Sequence, residues 1–69
     1  MDGTRRANIQ PGQTVLIVQK QDQLTGKLTQ GMVREILTRS ATHPHGIKVR
    51  LTNGLVGRVK TVVAQEDHA

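Results

Sequence analysis

The sequence predicts an all-β fold, a small barrel of four to five short antiparallel strands. Three observations predict it. From Gly46 to Lys60, apolar and basic residues alternate, as in Ile47-Lys-Val-Arg-Leu51 and Val56-Gly-Arg-Val-Lys60. That period of two puts aliphatic side chains on one strand face and charge on the other. Thr14-Val-Leu-Ile-Val18 is a β-branched apolar run bounded by polar residues. Pro11-Gly12, Gly26 and Asn53-Gly54 punctuate the chain with turns at short intervals. This rhythm suits a barrel of the SH3-like or KOW-like kind.

Taken in order, residues 1–8 are polar and read as a flexible tail. The domain then spans 9–63, and 64–69 form a second flexible tail. Thr14 to Gln19 is the first strand. Its apolar residues occupy both parities, so cover is expected on both faces, with Ile9 supplying part of it. Lys20 to Gln30 is a polar connection in which Asp22 and Gly26 serve as turn residues. Gly31 to Thr38 is the second strand. Met32, Val33, Ile36 and Leu37 also fit a helical stripe, but the segment is short and Gly31 offers no N-cap, which favours the strand. Arg39 to His45 is a loop that Pro44 keeps out of continuous pairing. Gly46 to Leu51 and Leu55 to Val63 are the third and fourth strands.

The last hairpin has two candidate registers. A two-residue Asn53-Gly54 turn would place Val49 opposite Arg58 and Ile47 opposite Lys60, mixing charge into the apolar face. A three-residue Thr52-Asn53-Gly54 loop, closed by Gly54 in the left-handed region as a G1 bulge, pairs Leu51 with Leu55, Val49 with Gly57 and Ile47 with Val59. A one-residue slip flips every side chain, so the apolar pattern selects the three-residue loop. Gly54→Val should then lower stability, because a β-branched residue resists positive φ; an unchanged unfolding midpoint would count against the bulge.

Composition narrows the function classes. The chain has 69 residues, enough for one domain at most. It contains no Phe, Tyr or Trp, so any core is aliphatic. It has no cysteine, which removes disulfides, thiolate chemistry and Cys-ligated zinc. No apolar run approaches a membrane span, and no hydrophobic segment follows the first charges as in a secretory signal. A cytoplasmic location is the default expectation. The net charge is +5 and the pI near 10.9, the electrostatic footprint of a phosphate binder in so small a domain.

No enzymatic constellation stands out. Ser40, Thr38 and Thr42 lie near two histidines, but no carboxylate in that segment orients a triad. No phosphate-loop or dinucleotide spacing occurs among the glycines. His43-Pro44-His45 places two imidazoles on one side of an extended chain. Two ligands are too few for a zinc site unless folding recruits Asp22 or Glu35. The chain is therefore expected to be neither an enzyme nor a holder of metal or cofactor.

What remains is a basic face. Between Ile36 and Gln65 there is no Asp or Glu, while Arg39, Lys48, Arg50, Arg58 and Lys60 all fall there. The chosen register makes Lys48 and Arg58 a like-charge cross-strand pair, which an anion would relieve. The expected site is Lys48, Arg50, Arg58 and Lys60, extended by Arg34 and Arg39; His43 and His45 either hydrogen-bond locally in a loop shaped by Pro44 or face phosphate beside Arg39. Without aromatic residues, binding should rest on phosphates and shape, favouring structured RNA over an unstructured strand. The competing expectation is an interaction module whose basic face docks an acidic protein surface.

Several strings taken together resemble the YwbE-like family of small bacterial and archaeal proteins. They are Pro11-Gly12, Asp22-Gln23, Thr25-Gly-Lys-Leu-Thr29, Gly31, Ile36-Leu-Thr38, Ser40, His43-Pro-His-Gly-Ile-Lys-Val-Arg-Leu51, Gly54 and Val56-Gly-Arg-Val-Lys60. The resemblance covers roughly 5–62, and its His43-to-Leu51 string is the most specific part. It implies a small stand-alone protein and brings no activity with it.

Overall fold

The computed structural model describes residues 3–63. Four strands form a closed barrel in the order β1-β2-β3-β4: β1 Thr14–Val18, β2 Thr29–Ile36, β3 Lys48–Leu51 and β4 Val56–Val62. Every neighbouring pair is antiparallel, and β4 closes back on β1. This is a small SH3-like barrel. In place of a fifth strand there is a single antiparallel bridge between Arg5 and Thr42.

The pleat decides what faces inward. Along β3 the alternation is strict: Lys48 and Arg50 are exposed, Val49 and Leu51 buried. On β4, Gly57, Val59 and Val62 are buried. Val49, Leu51, Val59 and Val62 form one aliphatic cluster with Ile9, Val15, Ile17, Val33 and Ile47, and Ile36 packs against it. Burial of each such side chain contributes about 1.5–3 kcal/mol.

Two bulges reconcile the pleat with barrel closure. Val33 pairs with Leu51 and Glu35 with Arg50, so Arg34 is the extra residue on β2. Leu16 pairs with Thr61 and Ile17 with Val59, so Lys60 is the extra residue on β4. Each bulge lets two apolar residues three apart, Val33 and Ile36 or Val59 and Val62, both face the core. In both cases the residue left unpaired is a cation.

The last hairpin takes the three-residue register. Lys48 lies opposite Arg58, Val49 opposite Gly57 and Arg50 opposite Val56. Leu51 N–H donates to Leu55 O at 2.8 Å, and Gly54 N–H to Leu51 O at 2.9 Å. Gly54 sits at φ 89°, in the left-handed region that the G1 bulge requires.

Other boundaries differ from expectation. The second strand begins at Thr29 and stops at Ile36, and is no helix. Beyond it, Leu37 and Thr38 N–H both donate to Lys48 O, which ends regular pairing. The third strand starts at Lys48 rather than Gly46, because Gly46 at φ 102° is not extended. On β1, Val15 and Ile17 point into the barrel, while on the other parity Leu16 is half-buried and Val18 is buried. Ile9 does join the core, at 2 % exposure.

Residues 3–8, expected within a flexible tail, lie against the barrel. Gly3 is buried, and Arg6–Asn8 make a 3-10 turn. Ile47 N–H donates to Gly3 O, His43 N–H to Thr4 O and Arg6 N–H to Ala41 O, all between 2.8 and 2.9 Å. Residues 3–6 thus act as a strap along the loop that leads into β3. The tail expected at 64–69, like residues 1–2, lies outside the described residues.

Candidate nucleic-acid interface

All ten Lys and Arg residues lie within 3–63, against only Asp22 and Glu35 among the carboxylates there. The barrel sorts these cations by strand seam. On the β3–β4 seam Lys48 faces Arg58 directly. Arg58 also lies opposite Val18 on β1, so it stands at the junction of three strands. Its guanidinium donates through Nη1 to Gly46 O at 3.1 Å. Lys60, swung out by its bulge, donates through Nζ to His45 O at 3.2 Å. Both cations are positioned by neutral carbonyls, so their charge is not cancelled at those contacts.

Arg50 goes elsewhere. Its Nη1 meets Glu35 Oε1 across the β2–β3 seam. Both side chains are almost half exposed, at 44 % and 46 %, so the pair adds at most about 1 kcal/mol and weakens with salt. Its main effect is to offset the charge of Arg50.

A cleft of about 640 Å³ opens beside Arg58 and Lys60, between the connection 19–28 and the loop 37–47. Gln23 and Gly26 of the connection line it, with His43 and His45 of the loop and Val18 of β1. A second depression of about 440 Å³ shares Val18, Gln23 and Arg58 and adds Lys20 and Lys48. Arg58 therefore lines both depressions, with Lys60 in one and Lys20 and Lys48 in the other.

The loop wall has its own geometry. His43 accepts at Nδ1 a hydrogen bond from His45 N–H at 3.1 Å. The two rings stand 5.8 Å apart, tilted by 49°. Partial desolvation lowers the pKa of His43 below the ordinary 6.5, and the nearby charges of Arg58 and His45 lower it further. Both effects favour the neutral ring, and the bond to Nδ1 puts its proton on Nε2. Among the described residues no three His, Asp or Glu side chains gather closely enough to hold a metal ion.

Of the eight site residues expected from sequence, five converge: His43, His45, Lys48, Arg58 and Lys60. Arg50 lies one seam away in its ion pair. Arg34 is exposed at the β2 bulge, and Arg39 is exposed in the loop just after Thr38, so neither lines the groove. The histidines line the cleft together with Arg58 and Lys60. Sequence reasoning missed Lys20, Gln23 and Gly26. The available signal was the closure of the barrel: once β1 pairs with β4, Val18 sits by Arg58 and the residues after it must overhang that site.

No helix among the described residues is long and apolar enough to cross a membrane. No solved structure matches the chain. The YwbE protein of Bacillus subtilis, itself uncharacterized, is 55 % identical over 64 residues, covering 93 % of this chain and 98 % of the relative. The sequence pattern of the uncharacterized conserved proteins DUF2196 matches residues 2–62. With agreement over nearly its whole length, the chain belongs to this YwbE-like family, DUF2196.

Proposed function

We propose that the protein is a nucleic-acid-binding module that engages structured RNA through backbone phosphates. One observation carries the reading: Lys48 and Arg58 face each other across a strand pair and share a groove with Lys20. Like charges held together raise the energy of the isolated protein by a few tenths of a kcal/mol or more. A phosphate strand laid along the groove reverses the sign of that term, releasing counterions as it does so. Lys60 extends the same track past Arg58. The absence of Phe, Tyr and Trp argues for recognition of backbone and shape rather than sequence.

The test is a salt titration of affinity for a double-stranded RNA hairpin. Four phosphate contacts predict a log–log slope of about −3 to −4. Lys48→Glu combined with Lys60→Glu, both at exposed positions, should reduce binding to background while the amide spectrum stays folded. A slope near zero, or affinity for an acidic polypeptide that exceeds affinity for RNA, would overturn the reading.

A further inference from the structure

The cleft beside the phosphate track has more chemistry than phosphates require. The chain contains no Phe, Tyr or Trp and only three histidines, so imidazoles are its only planar rings. Two of them, His43 and His45, sit on the same loop and both line this cleft. The 5.8 Å spacing and 49° tilt leave the rings unable to stack on each other face to face. Neither ring face is taken up by a stack with the other, and His45 is exposed.

The loop that carries them is held in place before any ligand arrives. His43 N–H is bonded to Thr4 O, and Gly46 N–H to His43 O at 3.0 Å. Arg58 and Lys60 reach the same loop through Gly46 O and His45 O. Cations and rings thus form one positioned unit. The cleft volume of about 640 Å³ falls within the range of small-ligand sites, roughly 300–1,000 Å³. Planar group plus phosphate, side by side, is the chemistry of a nucleotide. A base inside a duplex is stacked and cannot enter a cleft, whereas an unpaired base in a loop or bulge can be turned out and stacked on a side-chain ring.

We propose that this cleft holds one unpaired nucleotide of RNA, its base against the His43 and His45 rings and its phosphate on Arg58 and Lys60. The proposal rests on the RNA-binding reading and adds to it a preference for a loop or bulge over continuous duplex. The lowered pKa of His43 supports it, since an uncharged imidazole stacks without bringing a second ionised group beside Arg58.

Adenosine 5′-monophosphate and inorganic phosphate serve as probes, with the ring proton–carbon signals of His43 and His45 as the readout. The nucleotide should shift both rings upfield by ring current, saturably; phosphate should not produce that shift. An RNA hairpin with an unpaired loop should bind more tightly than a duplex of equal length. The double variant His43→Ala with His45→Ala should erase that preference, by roughly tenfold in the ratio of hairpin to duplex affinity. Identical shifts from nucleotide and phosphate, or equal affinity for hairpin and duplex, would overturn the proposal. In that event duplex binding with a steep salt slope would still stand, which separates this failure from failure of the phosphate-track reading. The probe titration uses the unaltered protein, so it decides the matter even if the double variant does not fold.

Discussion

Two connections line the cationic cleft, and they are held in opposite ways. The connection 19–28 bonds mainly to itself: Gly26 N–H donates to Asp22 O at 2.8 Å, Thr25 Oγ1 to the same carbonyl at 3.2 Å, and Lys27 N–H to Thr25 Oγ1 at 3.4 Å. Leu24 at its tip is fully exposed. The loop 37–47 is instead tied to the N-terminal strap, to Lys48 and to β4, where Val59 N–H donates to Ile47 O. Its end, Gly46-Ile47, is buried. One wall is therefore part of the core and the other is an overhang. Local opening is cheap where few buried contacts hold a segment, so the overhang is the wall that can yield to a ligand.

One substitution made on both walls measures this difference. Gly46 and Gly26 both have positive φ, 102° and 71°. A Cβ at Gly26 meets nothing within 4 Å, whereas one at Gly46 would overlap the carbonyl of Val59. Gly26→Ala should therefore cost only the left-handed backbone penalty, about 1–2 kcal/mol. Gly46→Ala should add a steric conflict with backbone that cannot swing aside, for a total of about 3 kcal/mol or more. Denaturant unfolding of the two variants checks the order. Equal losses would mean that the strapped wall is as free as the overhang.

The comparison also explains what sequence could reveal. The β3–β4 ribbon was legible because one local pattern specifies everything about it. Alternation fixes the buried face, and the buried face excludes the two-residue turn. Lys48, Arg58 and Lys60 followed from that register. The strap at 3–6 was not legible, because nothing in Gly3-Thr-Arg-Arg6 is apolar or periodic. Its attachment comes from backbone hydrogen bonds to residues some forty positions away, which composition does not encode. The bulges at Arg34 and Lys60 were missed for a related reason: they are demanded by barrel closure, a property of four strands together. Arg50 looked like part of the site because Glu35 lies fifteen residues away in sequence; only the β2–β3 register brings them together. The groove itself needed β1 to close on β4 before Lys20 and Gln23 had any reason to stand near Arg58.

The smallest expected effect concerns the protonation of the strapped wall. His43 faces His45, Arg58 and Lys60, and its folded pKa lies below the ordinary 6.5. The unfolded chain therefore binds more protons at this residue than the folded chain does. Stability from this source is complete above about pH 6.5 and is lost as pH falls from there through the folded pKa. The unfolding midpoint should thus decline between pH 7.5 and 5.5, above the range in which Asp22 and Glu35 ordinarily titrate. His43→Ala should reduce that decline, because the remaining histidines are common to both chains. Thermal unfolding of the two proteins at the two pH values is the measurement. An equal decline in both would show that the protonation of the cleft is carried by some other group, and that the desolvation and neighbouring cations acting on His43 do not hold its ring neutral.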